Sequence, residues 1–138
     1  MTKPPSQILE SALYVDDLDA AEAFYGGVLG LEKINRAGTR HVFYRCGPAV
    51  LLIFNPAETE IHYAEGQLPV PPHGARGPGH LCFRATAEEI SGWKARLETS
   101  GVEIESDMEW PQGGRSIYFR DPAGNSLEFT EARIWGIE

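Results

Sequence analysis

The sequence predicts an α+β fold: two paired βαβββ modules with mixed sheets and the helices outside, which would make one cup if both half-sheets curl together. Three observations predict it. The order strand–helix–strands runs through the chain twice. The strand segments alternate apolar and polar residues, so each has one face for a core and one for something else. The chain has 138 residues, room for one ordinary domain or for two small half-domains that share a core.

The first module is expected over 7–56. Residues 8–15, "ILESALYV", read as a strand interrupted by Glu10. Asp17 is placed to cap a helix in which Leu18, Ala21, Tyr25 and Val28 recur at helical spacing, and Gly30 closes it. "HVFYR" and "VLLIF" follow as strands joined by "CGPA". Residues 57–78 are expected to be a linker. The wider stretch 55–79 is rich in Pro and Gly and has no sustained period. It holds His62 and His73, which are exposed loop residues or lid residues that reach a ligand.

The second module is expected over 79–133. "HLCFRA" is a strand; Thr86 and Glu89 form a capping box; Ile90, Trp93 and Leu97 mark a helix face that Gly101 ends. "VEIES" (102–106) is a short strand candidate. "SIYFR" and "SLEFTE" flank the turn "DPAGN". Laid over the first module without a gap, 116–129 falls on 41–54, which puts Glu128 on Ile53; Glu10 falls on His80.

Alternation then sorts the side chains. Leu9, Leu13, Val15, Leu81, Phe83, Ile117, Phe119, Leu127 and Phe129 suit the helix-covered faces. Glu10, Tyr14, His80, Arg84, Tyr118, Arg120 and Glu128 face the other way and would line the cup, where a small ligand binds. Two carboxylates and one imidazole, Glu10, His80 and Glu128, suit a divalent cation: Mn, Fe(II), Co, Ni or Zn, with positions left open for substrate. Glu10 is a ligand, a general base beside the metal, or structural; Glu128 is the other carboxylate expected to act in catalysis. Tyr14 and Tyr118 are substrate-facing or space-filling. Arg84 and Arg120 clamp an anionic substrate or form ordinary salt bridges. Cys82 reads as a small buried hydrophobe.

Charge and composition exclude other classes. A net charge of −8 argues against nucleic acid or an anionic membrane as partner. The N-terminus has no secretory h-region, no run approaches a membrane span, and the two cysteines form no CxxC pair, so a reduced cytoplasmic protein is expected.

The motifs "LYVDDLDAAEAFYGGVLGLE" (13–32), "GHLCFRA" (79–85) and "YFRDPAGNSLEF" (118–129) carry a family resemblance. The chain resembles the vicinal oxygen chelate superfamily from about Ile8 to Glu131, as a single domain over 1–138. That superfamily includes glyoxalase I, the fosfomycin- and bleomycin-resistance proteins and the extradiol dioxygenases. The resemblance implies a homodimer and a metal in the cup that chelates two adjacent oxygens of a small substrate. His80 and Glu128 match two family ligand positions. Glu10 stands where the family usually has His or Gln, and Ile53 is taken for a fourth position that cannot bind metal. A lyase, isomerase or resistance-type addition is the implied reaction, ahead of ring-cleaving dioxygenation. The alternative is a metal-free binding protein of the bleomycin-resistance type.

Overall fold

A computed structural model describes residues 2–137. The chain falls into two compact units, Met1–Arg76 and Gly77–Glu138. Each is a βαβββ module.

The first module holds β1 (Glu10–Tyr14), α1 (Leu18–Glu22), β2 (Glu32–Ala37), β3 (His41–Cys46), β4 (Ala49–Phe54) and one helical turn, α2 (Pro56–Thr59). Its sheet runs β1-β4-β3-β2, with β1 parallel to β4 and the other pairs antiparallel. The second repeats the plan with β5 (His80–Arg84), α3 (Ala87–Thr99), β6 (Ser106–Glu109), β7 (Arg115–Arg120) and β8 (Ser126–Thr130), in the order β5-β8-β7-β6. In both, the parallel pair joins the module's first and last strands.

The helices form for the expected reasons. Asp17 accepts from the Ala20 N–H at the start of α1, and Thr86 and Glu89 make a reciprocal capping box on α3. Ile90 and Leu97 are fully buried on α3, and Trp93 stacks on Phe129 with ring centroids 4.9 Å apart. In the first module Val42, Tyr44, Leu51 and Ile53 are buried on the sheet face that packs against the helix. Gly30 and Gly101 both have positive φ after their helices, the conformation that suits glycine there.

Six expectations need correction. The first strand begins at Glu10, not Ile8; Ile8 and Leu9 are exposed, because only Glu10–Tyr14 lie in register with β4. The helix at 18–28 does not keep its period. After Glu22 it widens into a π-helical stretch, Ala23–Val28, in which the Leu29 N–H reaches the Phe24 carbonyl at 2.9 Å. The slip buries Leu29 instead of Val28. The strand β2 went unnamed because "EKINRA" is mostly exposed and carries a register shift between Lys33 and Asn35, so it has no alternating signal. The short strand of the second module is 106–109, not 102–106. Inside the Pro/Gly-rich stretch, Asn55 caps α2 with Pro56 in its first turn, and Pro56 and Thr59 are buried.

The sixth concerns the repeat. Strand register pairs Cys82 with Glu128 and Glu128 with Tyr118; in the first module Ala12 pairs with Leu52, and Leu52 with Phe43. The residue equivalent to Glu128 is therefore Leu52, not Ile53. The gapless overlay fails because the turn between β7 and β8 is one residue longer than that between β3 and β4: Arg120 pairs with Ser126, whereas Arg45 pairs with Val50. A slip of one residue exchanges the two faces of a strand. Ile53 is core, fully buried, while Leu52 shares the opposite face with Phe43 and Phe54.

Candidate functional site

In the second module the sheet face away from α3 carries His80, Cys82 and Arg84 on β5, Ser126, Glu128 and Thr130 on β8, and Ser116, Tyr118 and Arg120 on β7. The alternation expected from the sequence holds there. Glu128 is only 6% exposed, an unusual depth for a carboxylate. Hydrogen bonds explain how it is tolerated. Ser116 Oγ donates to Glu128 Oε2 at 2.6 Å. That hydroxyl accepts in turn from Trp110 Nε1 at 2.8 Å and lies 2.7 Å from Thr130 Oγ1. Serine has one proton to give. With it committed to the carboxylate, its oxygen receives the indole N–H and shares the Thr130 hydroxyl proton with the Arg115 carbonyl, 3.1 Å from Thr130 Oγ1, so no proton is directed away from Glu128 by Ser116.

The other oxygen of Glu128 faces His80. His80 Nδ1 lies 2.9 Å from the Ser126 carbonyl, which can only accept, so Nδ1 carries the proton. Nε2 is then the bare nitrogen of the neutral ring. It sits 3.3 Å from Glu128 Oε1. Two lone pairs facing each other at that distance repel unless a cation lies between or beside them. A proton on the ring satisfies the pair; so does a divalent metal. Both donors already have the outer hydrogen bonds that orient metal ligands, a backbone carbonyl on the imidazole and a hydroxyl on the carboxylate. The donor set fits a borderline divalent cation, supplying two ligands from one module. Among the described residues, no three His, Cys, Asp or Glu side chains are grouped for a metal.

The remaining residues divide clearly. Tyr118 stacks beside His80 at 6.3 Å, and burial and then the Glu128 charge push its hydroxyl above its ordinary pKa. Cys82 is exposed, not buried as expected, because β5 is the end strand of its sheet. Desolvation of its thiol, with the Glu128 charge beside it, pushes its pKa up to about 12, so it is a poor nucleophile. Arg120 does not stand free for a substrate. It is held by Glu105 at 2.6 and 2.9 Å and by the Gly124 carbonyl, the salt-bridge alternative. The Arg84 side chain has no hydrogen-bond or ion-pair partner among the described residues, and it lines a cavity with the start of α3 and Arg133.

Glu10 and Tyr14 lie in the first module. Glu10 is exposed, its side chain has no hydrogen-bond or ion-pair partner among the described residues, and it lines a cavity of about 640 Å³. Tyr14 Oη is 2.6 Å from Nδ1 of His73, which brings the Pro/Gly-rich segment onto β1. His62 is exposed and bonds its neighbour's carbonyl. Sequence reading missed Arg40, His41 and Phe43 at the same cavity, and Ser116 and Trp110 behind Glu128. The alternation of "HVFYR" carried a signal for His41 and Phe43. Ser116 needed the β7–β8 register, and no local pattern marks Trp110.

A duplicated βαβββ module with a buried carboxylate and an imidazole on one open sheet face defines a class of small α+β proteins. The chain belongs to the Glyoxalase/Bleomycin resistance protein/Dioxygenase superfamily, whose family model matches residues 7–129. It is similar to the crystal structure of lactoylglutathione lyase from Agrobacterium tumefaciens, at 48% identity and a TM-score of 0.91, over 98% of this chain and 100% of that one. A glyoxalase/bleomycin resistance protein/dioxygenase from Nocardioides matches with a TM-score of 0.72 at 22% identity, over 94% and 85% of the chains. An integron cassette protein from the Halifax Harbour sewage outfall metagenome matches at 0.71 and 24%, over 92% and 99%. The last two show the fold alone. No curated protein matches. Among the described residues, no helix is long and apolar enough to cross a membrane.

Proposed function

We propose that the protein is a metal-dependent enzyme of the lyase or isomerase kind acting on a small substrate with two adjacent oxygens. The observation that carries this is the His80–Glu128 pair, two oriented acceptor atoms 3.3 Å apart with a cation-shaped need between them. The similarity to a lactoylglutathione lyase over nearly the whole chain supports the reaction class.

His80 Nε2 and Glu128 Oε1 would hold the metal, with Glu10 proposed as third donor or as general base. When bound, a divalent cation supplies Lewis acidity that stabilises negative charge on a coordinated substrate oxygen. The protein's own part is orientation and proton handling. The Ser126 carbonyl keeps the imidazole in one tautomer, and Ser116 fixes the orientation of Glu128 by donating to Oε2. Burial of Glu128 keeps water away from its inner oxygen. Glu10, exposed and with no side-chain partner among the described residues, is the carboxylate proposed to take a proton from a bound substrate.

The test is metal stoichiometry. Protein purified without chelator, then offered Mn, Fe(II), Co, Ni and Zn separately, is expected to bind one equivalent per site. His80→Ala and Glu128→Ala should each lose it; Glu10→Ala should lose it if Glu10 is the third donor and keep it if Glu10 is the base. Wild type that binds none of the five metals would remove the enzyme reading. The metal-free binding protein is the second reading, favoured by a module that offers two donors and not three.

A further inference from the structure

The open face of the first module differs in chemistry from that of the second. Where the second presents Ser116, Tyr118 and Glu128, the first presents His41, Phe43 and Leu52 at the equivalent register positions. His41 and Phe43 stack with centroids 3.9 Å apart at 6°, and Phe43 meets Phe54 edge-on at 5.4 Å. Phe54 in turn meets His73 edge-on at 4.7 Å. These rings line the cavity of about 640 Å³, a size suited to a small organic molecule.

The cavity also holds two linked donors. Arg40 Nη1 lies 2.7 Å from His41 Nδ1. A guanidinium can only donate, so His41 Nδ1 accepts and its proton sits on Nε2. That Nε2–H has no partner among the described residues. Burial and the adjacent Arg40 charge hold His41 below its ordinary pKa, so the ring is a neutral donor. Arg40 packs over Phe54 at 5.5 Å and has no carboxylate partner among the described residues. A cation without a counter-ion beside a neutral N–H donor suits the two oxygens of a carboxylate, and the rings suit a flat apolar group. Glu10, the cavity's one carboxylate, is exposed, where solvent screens its repulsion.

We propose that the first module binds the planar, unsaturated part of an aromatic carboxylic acid, its ring against Phe43 and Phe54 and its carboxylate on Arg40 and His41. The proposal stands apart from the metal reading: it needs neither the metal nor His80 and Glu128.

The test is calorimetric titration of the full chain in chelator, using phenylglyoxylate, pyruvate and acetophenone. These give ring with acid, acid without ring, and ring without acid. Phenylglyoxylate should bind on the order of tenfold more tightly than either of the others. Phe43→Ala should bring phenylglyoxylate to the level of pyruvate, and Arg40→Gln should bring it to the level of acetophenone. Phe43→Leu, which keeps an apolar side chain but no ring, should fold and still lose the ring preference. Equal affinity for phenylglyoxylate and pyruvate, no binding of any probe, or a ring preference that survives both Phe43 variants would overturn the assignment. Metal-binding results bear on none of these outcomes.

Discussion

Replacing Ser116 with Ala removes one oxygen and disturbs three groups. Glu128 Oε2 loses a 2.6 Å charge-assisted hydrogen bond, a contact of a class that contributes about 1.5–3 kcal/mol. Trp110 Nε1 loses its acceptor in a half-buried position. Thr130 Oγ1 has a fallback, because the Arg115 carbonyl lies 3.1 Å away. The expected loss of stability is therefore about 2–4 kcal/mol. All three tryptophans, Trp93, Trp110 and Trp135, lie in the second module, so urea denaturation followed by tryptophan fluorescence reads that module alone. The sharper measurement is a double-mutant cycle of Ser116→Ala with Glu128→Leu. If the hydroxyl exists to hold the carboxylate, the double variant should be less destabilised than the sum of the singles by about 1–2 kcal/mol. Additivity within about 0.5 kcal/mol would refute the network as the reason Glu128 can be buried. On the metal reading, Ser116→Ala should also weaken metal binding about 10–100-fold while keeping stoichiometry, measured by chelator competition.

Three further outcomes are expected. Ile53→Glu should unfold the first module, because it places an unpaired carboxylate at a fully buried position, whereas Leu52→Glu should fold; comparable circular dichroism melts for the two would contradict the register correspondence. Tyr14→Phe removes the bond to His73 and should speed proteolytic cleavage within 60–76, with cleavage unchanged counting against that contact as the anchor of the segment. Asp107 is held down to about 2 by Arg115 and then Lys94. Its folded pKa is below the unfolded one, so its stabilisation is present above about pH 4 and lost as pH falls toward 2. Because the pair is partly exposed, Asp107→Asn should cost less than about 1 kcal/mol at neutral pH and should flatten the acid limb of stability between those values.

Much of this was legible in the sequence, and the failures have physical causes. Caps that use local chemistry were readable: Asp17, Thr86 with Glu89, and the glycines that end the helices. The two-faced strands were readable too, which is why His80 and Glu128 could be placed on one face before any coordinates. The π-helical widening at Ala23–Val28 was not, since it changes the period after the pattern has been set. The Ile53 correspondence failed because turn length is decided by three-dimensional closure: Asp121 Oδ1 accepts from both the Ala123 and Asn125 N–H groups and so accommodates the extra residue. Arg120 could not be separated from Arg84 by sequence, because only the fold brings Glu105 to Arg120.

The buried Asn125 links that turn to the opening of β5, accepting from the Gly79 N–H at 2.8 Å while its own amide donates to Asp121. Ser126 N–H bonds the Gly79 carbonyl, and His80 leans on Ser126. These contacts span 46 residues of chain, and β5–β8 is the parallel closure of the module. Long-range parallel pairing is slow to form. The imidazole and the carboxylate thus meet only when the module's last strand pairs with its first. A module without that closure therefore does not hold the two side chains together, and their distance reports whether the last strand is in place.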